Sequence, residues 1–383
     1  MNERSEHIGE RAHATPGRAA HAGAPGPAYR LGVLEGDGIG PEIVPACVTV
    51  LDAALAAAGA PAIDWVPLPL GRSAIDTHGA AVPDSTLTTL AELDAWLLGP
   101  HDSAAYPEPH RSRLNPSGTI RKHFDLFANI RPAKSFEGAN AIVAGTDLVI
   151  VRENTQGFYA DRSTYKGSGE FMPSPDVAIA MGIITRQAVE RIAVEAFELA
   201  RRRRGKLTIV HKANVLKMTT GLFRDVCREK AADYPDVSID DFHIDAMTVH
   251  LVRRADAFDV IVTENMFGDI LSDLAGEIAG SLGIAPSINS SHQHAMAQAA
   301  HGSAPDIAGR DLANPIAMIS SGAMLLSWLA ARRDDVALAE AATLIEAGVA
   351  GTVRSGTRTR DMGGHAGTRE FAQAVATTIK RLR

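Results

Sequence analysis

From Tyr29 onward, short apolar runs alternate with longer segments whose apolar residues recur every three to four positions. YRLGVLE reads as a buried strand, GDGIG as a turn, and the segment opened by Pro41 as an amphipathic helix reaching about Ala58. The same order recurs further on. DLVIVRE at 147 to 153 is a strand, KLTIVHK at 206 to 212 follows the helix TRQAVERIAVEAFELARRRR, and FDVIVTEN at 258 to 265 leads into FGDILSDLAGEIAGSLG. Strands alternating with helices predict an α/β protein. Residues 1 to 28 are rich in Ala, Gly, Pro and His without periodicity and read as a disordered tail. Residues 97 to 120 read as a long polar loop broken by prolines, of a kind that is usually functional. Four arginines at 201 to 204 close a helix before Gly205, where the macrodipole and a solvated face explain them more simply than an anion site does.

Composition narrows the class. A chain of 383 residues suffices for about two domains. Hydrophobic residues at 45% and charged ones at 22% exclude collagen-like, coiled-coil and wholly disordered chains. Lys plus Arg number 38 against 45 for Asp plus Glu, a net charge of -7, so no basic field recruits nucleic acid or a membrane, and small-molecule partners are expected. Cys47 and Cys227 stand far apart, without the spacing of a disulfide scaffold or zinc site. No run approaches about 18 consecutive apolar residues, and no signal-peptide pattern opens the chain. The expectation is a cytoplasmic protein.

Three groups of residues carry candidate chemistry. The dinucleotide fingerprint needs G-x-G-x-x-G and an acidic residue about 20 positions on, and in GDGIG the third glycine comes one place early, so a plain tight turn competes with cofactor binding there. Asp269 and Asp273 are four apart on a helical segment and project from one face, with Asp245 a candidate third oxygen donor for Mg²⁺ or Mn²⁺. Helix capping and solvation would account for the same pair. Arg121 and Arg131 lie ten apart, and Arg152 directly follows an apolar strand; together they could grip carboxylates, although each alone would pass as a surface residue.

Taken together, GDGIGPE, RKHFDLFANIRP, VRENTQGFY, HKANVLK, IDAM, FGDILSD and HGSAPDIAG resemble the metal-dependent β-decarboxylating dehydrogenases, the isocitrate/isopropylmalate dehydrogenase family, from about residue 29 to 380. The resemblance implies a two-domain α/β fold with a large mixed sheet, distinct from the Rossmann fold. Domain 1 would join residues 29 to 126 and 280 to 383, with domain 2 at 127 to 279. It further implies a homodimer in which Lys212 and Asp245 reach the neighbouring subunit's site. Asp269, Asp273 and the partner's Asp245 would hold Mg²⁺ or Mn²⁺, Lys212 would act as general base, and Tyr159 would protonate C3. Arg121, Arg131 and Arg152 would hold a di- or tricarboxylate substrate. His301, Gly302, Ser303, Ala304, Asp306 and Ile307 would bind the cofactor, with Asn314 at its adenine end. NADP-using members carry Lys and Tyr where Asp306 and Ile307 stand, which points to NAD.

Substrate choice falls to Asn115, Ser117 and Val215, which the resemblance places at the group on C3. Isopropylmalate enzymes put Leu-Leu where Ser117 and Gly118 lie, so a polar pair lines an isopropyl group poorly. Isocitrate enzymes carry Ser-x-Asn at 115 and 117; here the two types are swapped. Val215 matches the apolar relatives, and HDSAAYPEPHRSRLNPSG fits none of the branches. The expected reaction is NAD- and metal-dependent oxidative decarboxylation of a 3-substituted malate. A tartrate or D-malate dehydrogenase and a catalytically silent regulatory subunit are the alternatives.

Overall fold

The computed structural model describes residues 29 to 164 and 166 to 383; the tail expected at 1 to 28 lies outside the described residues. The strands are β1 (Tyr29–Leu34), β2 (Ile63–Pro67), β3 (Ala95–Leu98), β4 (Ala128–Lys134), β5 (Asp147–Glu153), β6 (Glu170–Ser174), β7 (Val177–Ala180), β8 (Lys206–His211), β9 (Ser238–His243), β10 (Val260–Thr263), β11 (Ile288–Ser290) and β12 (Ala295–Ala297). Ten of them form one sheet in the order β2-β1-β3-β12-β11-β4-β5-β10-β8-β9. The outer pairs run parallel, while β4 lies antiparallel to both β5 and β11, and β11 antiparallel to β12. The sheet is therefore mixed, with an order unlike a doubly wound dinucleotide fold.

The helices are α1 (Gly40–Ala58), α2 (Gly71–His78), α3 (Asp84–Ala91), α4 (Pro116–His123), α5 (Ala160–Ser163), α6 (Arg186–Arg202), α7 (Thr219–Lys230), α8 (Ile244–Arg254), α9 (Asn265–Ala279), α10 (Ile316–Arg333), α11 (Val336–Arg354) and α12 (Thr368–Arg381). Side chains alternate across the sheet and feed apolar layers on both faces. Leu97 joins the cluster under α1, α10, α11 and α12, whereas Trp96 and Leu98 point to the cluster with Leu70, Leu90 and Ile120. Val260 and Val262 pack with α6 and α7, and Ile261 packs with α8 and α9. Helices α1 and α11 are long and apolar enough to cross a membrane by composition, and here they pack into the first of these layers.

Two local expectations are revised. The stretch from 97 to 120 is not loop throughout, since Asn115 caps α4 by accepting from the Gly118 backbone N–H at 2.7 Å, with Pro116 in the first turn. The arginine run is less solvated than expected. Arg203 donates to Asp259, which is buried at 1% exposure, and to Asp147, so it neutralises an internal carboxylate beneath β5 and β10.

Parallel β5, β10 and β8 are neighbours, so their carboxyl ends line one edge of the sheet. Arg152, the Glu264–Asn265 start of α9, and Lys212 all leave from that edge. Antiparallel β4 pairs Asn129 with Arg152 and brings Arg131 alongside, one pleat away on the same face.

Candidate active site

Three arginines act on one carboxylate. Arg152, with its side chain 1% exposed, donates from Nη1 to Asp269 Oδ1, and Arg131 Nη1 stands 3.2 Å from the same oxygen. Tyr159 donates its hydroxyl to Asp269 Oδ2 at 2.7 Å. Burial disfavours the charged form of Asp269, but Arg152 and Arg131, helped by the Tyr159 hydrogen bond and by Arg121, outweigh it and hold the carboxyl at about 2. Burial and then the like charge of Arg152 push Arg131 down to about 10. Two guanidinium groups are thus confined side by side, an arrangement that favours further negative charge.

Neutral amides aim these cations. Asn265 Oδ1 accepts from Arg152 Nε at 3.0 Å and from Nη2 at 2.7 Å. Asn129 Oδ1 accepts from Arg131 Nε at 2.6 Å, and Ser272 Oγ accepts from its Nη1 at 2.7 Å. Arg121 donates to Asn154 Oδ1 at 3.3 Å and to Gln298 Oε1 at 3.0 Å. Gly268 lets α9 pass close to Arg152, because a β-carbon there would fall 2.6 Å from Arg152 Cγ.

Asp269 and Asp273 lie a helical turn apart on α9, as their spacing predicts. Burial raises the Asp273 carboxyl above its ordinary range, with Asp269 adding to the rise against the pull of Arg131. A divalent cation would relieve that repulsion, so this pair of hard oxygen donors fits Mg²⁺ or Mn²⁺. Among the described residues of one chain, no third Asp, Glu, His or Cys joins them. Asp245 instead receives the Lys212 ammonium at 2.6 Å on an exposed part of the molecule, which lowers its carboxyl pKa. Val215, on the turn after Lys212, is 66% exposed.

The loop at 301 to 307 meets the GDGIG turn. Ile39 N–H donates to the Ser303 carbonyl at 2.9 Å, and a β-carbon on Gly38, which has φ +58, would lie 2.0 Å from that oxygen. GDGIG is thus a tight turn whose glycine admits the loop. His301 Nδ1 shares a hydrogen with the Gly302 carbonyl at 3.0 Å; since a carbonyl only accepts, Nε2 is left as acceptor in the neutral ring, buried and without a partner among the described residues. Burial also lowers the His301 pKa. Gly302 faces open space, and the Asp306 carboxylate is exposed with no side-chain hydrogen bond among the described residues. An acceptor nitrogen, free space and a free carboxylate fit a ligand bearing N–H and hydroxyl donors.

The family model for isocitrate/isopropylmalate dehydrogenase matches residues 30 to 375. The chain belongs to the isocitrate/isopropylmalate dehydrogenase family. It is 41% identical over 351 residues to the 3-isopropylmalate dehydrogenase of Archaeoglobus fulgidus, covering 91% of this chain and 99% of that relative. The isocitrate/homoisocitrate dehydrogenase of Thermus thermophilus is 42% identical over 359 residues, covering 93% and 100%. The crystal structure of isocitrate dehydrogenase from Methylococcus capsulatus superposes with a TM-score of 0.82 at 38% identity, over 92% of this chain and 99% of that one. Members of the family are decarboxylating hydroxy-acid dehydrogenases.

Within this dehydrogenase, Arg121, Arg131, Arg152, Tyr159, Asp269 and Asp273 come together as expected, with Ser117 buried beside Arg121. Lys212, partly buried, pairs instead with the exposed Asp245, and exposed Val215 lies on the adjoining turn, its N–H donating to the Lys212 carbonyl. Asn115 spends its carbonyl on capping α4, and Asn314 donates to Asp361 Oδ2 at 2.9 Å while accepting from Ile316 N–H. Sequence reasoning overlooked Asn129, Asn154, Asn265, Ser272, Gln298 and Asp361. Asn154 and Asn265 sat inside motifs already singled out; Gln298 signalled only as a lone polar residue in the apolar run AMAQAA.

Proposed function

We propose that this member of the family catalyses NAD-dependent and divalent-metal-dependent oxidative decarboxylation of a 3-substituted malate. The observation that carries the reading is the convergence of Arg152, Arg131 and the Tyr159 hydroxyl on Asp269 at the carboxyl edge of the sheet. The reaction removes a hydride from C2 and a proton from its hydroxyl. The C3 carboxylate leaves as CO₂, its bonding electrons form an enolate, and a proton returns to C3. A cation held by Asp269, Asp273 and Asp245 of a second copy would polarise the 2-hydroxyl oxygen, and NAD at residues 301 to 307 would accept the hydride.

The chain's own groups supply the rest. Arg121, Arg131 and Arg152 bind and orient the carboxylates, an entropic as well as a Coulombic contribution. Tyr159, aimed by Asp269, delivers the proton to C3. Lys212 takes the hydroxyl proton in the site of a second copy. Support for that sharing comes from the exposed face of α8, where Val249 and Val252 follow Asp245 at helical spacing, and from Met218 at 87% exposure near Lys212. The β6–β7 hairpin also exposes Phe171, Met172, Val177 and Ile179, apolar surface that suits a homodimer contact.

NAD rather than NADP is supported by Asp306, whose free carboxylate accepts ribose hydroxyls and repels a 2′-phosphate. The test is absorbance at 340 nm with Mg²⁺ and either cofactor, against isocitrate, homoisocitrate, isopropylmalate, tartrate and D-malate. Turnover of a 3-substituted malate with NAD, abolished by chelation, is expected. D-malate or tartrate outpacing every substituted acid would favour the small-substrate reading, and no turnover with any would favour a silent subunit.

A further inference from the structure

Gln298 follows the short central strand β12 and stands three residues before His301, so it joins the cofactor loop to the substrate side. Its Oε1 accepts from Ser117 Oγ at 2.9 Å and from Arg121 Nη2 at 3.0 Å. Ser117 and Arg121 are four apart on α4 and share a face, and all three side chains are buried. Its backbone N–H donates to the Ser287 carbonyl at 3.1 Å, which pins the residue in place.

This network fixes the amide's orientation. A guanidinium N–H only donates, so the amide oxygen must face Arg121, and Nε2 must face away. Nε2 has no hydrogen-bond partner among the described residues, yet it is not sealed from solvent. The free donor sits on the same amide carbon as the oxygen that Ser117 and Arg121 hold, so it borders the place where the group on C3 is expected. The neutral amide also leaves the Arg121 charge intact, whereas a carboxylate here would pair with it and compete with the substrate.

We propose that Gln298 is a specificity-determining residue that favours substrates bearing a carboxylate on the C3 substituent over those bearing an alkyl group. The inference rests on the oxidative-decarboxylation reading. A bound alkyl group would cover this donor and leave it unpaired, while a carboxylate would satisfy it and gain from Arg121.

The test is the ratio of Kd values for isocitrate, whose C3 group ends in a carboxylate, and isopropylmalate, measured by calorimetry with Mg²⁺ on the full chain and on Gln298→Met and Gln298→Glu. The wild type should bind isocitrate more tightly, by about tenfold or more. Gln298→Met removes the donor and should erase most of that preference, and Gln298→Glu should reverse it by repulsion. Simple loosening would weaken both ligands alike and leave the ratio unmoved. An unchanged ratio in both variants, or tighter isopropylmalate binding by the wild type, overturns the proposal. Because binding is read without turnover, preserved selectivity in a protein that turns over neither acid would sink the reaction reading alone.

Discussion

Gly268→Ala tests how closely the site depends on the packing of α9 against Arg152. The added β-carbon would lie 2.6 Å from Arg152 Cγ, 2.7 Å from its Cβ and 3.1 Å from its Cδ, where ordinary contact is about 3.5–4 Å. Arg152 must retreat by about 1 Å, or α9 must shift. Retreat is resisted by its two bonds to Asn265 Oδ1 and by its pairing with Asp269. Alanine favours a helix over glycine by about 0.8–1 kcal/mol, against an overpacking cost of about 1–3 kcal/mol, so the net loss of stability should reach about 2 kcal/mol at most. Catalysis should suffer more, since a misplacement of about 1 Å in a substrate-orienting group costs on the order of 100-fold. Gly221→Ala on α7 is the control, because the nearest atom to its β-carbon is 4.0 Å away. It should be neutral to slightly stabilising with unchanged kcat. Melting curves and kcat/KM on both variants are the assay, and a Gly268→Ala enzyme with wild-type kcat/KM would refute the reasoning.

Three further outcomes are expected. Tyr159→Phe keeps the ring and loses the proton delivered to C3 and the bond to Asp269 Oδ2, so kcat should fall by about 10²–10⁴ while the melting temperature stays close to wild type; full activity would remove Tyr159 from the proton path. Lys212→Ala and Asp269→Asn should each be inactive alone, yet mixed and reassembled they should recover about a quarter of wild-type activity through heterodimers with one intact site, whereas no recovery would contradict a shared site. His211, buried behind Lys212, accepts the Ala213 N–H on Nδ1 and bonds Asp241 Oδ1 at 2.8 Å through Nε2, and burial lowers its pKa despite Asp241. The unfolded chain therefore binds this proton first as pH falls below about 6.5, so stability should decline from pH 7 to pH 5, and urea denaturation of His211→Gln should show a shallower decline.

Charge and periodicity announced the parts of this site that they control. The four-residue spacing of Asp269 and Asp273 and the strand ending at Arg152 each imply a direction of projection, and the structure bears out both. In GDGIG the glycines admit three close backbone carbonyls, Pro100 against Gly36, Ser303 against Gly38 and Glu35 against Gly40, which is the packing a tight turn requires. Two of the supporting amides were illegible for a physical reason. Gln298 meets Arg121 across 177 residues and Asn265 meets Arg152 across 113, so each pairing depends on sheet order, which no local period encodes. The segment from 97 to 120 hid α4 because the helix is only eight residues long and opens on Pro116 and Gly118, residues that read as loop until Asn115 is seen to cap it.

The most direct test of the central claim is the stoichiometry of one reaction, with CO₂ trapped and NADH read at 340 nm in the same vessel with Mg²⁺ and the best 3-substituted malate. The account predicts equimolar CO₂ and NADH, both lost in Arg152→Met. NADH without CO₂ would show an alcohol dehydrogenase whose arginines merely hold a carboxylate, and would contradict the account.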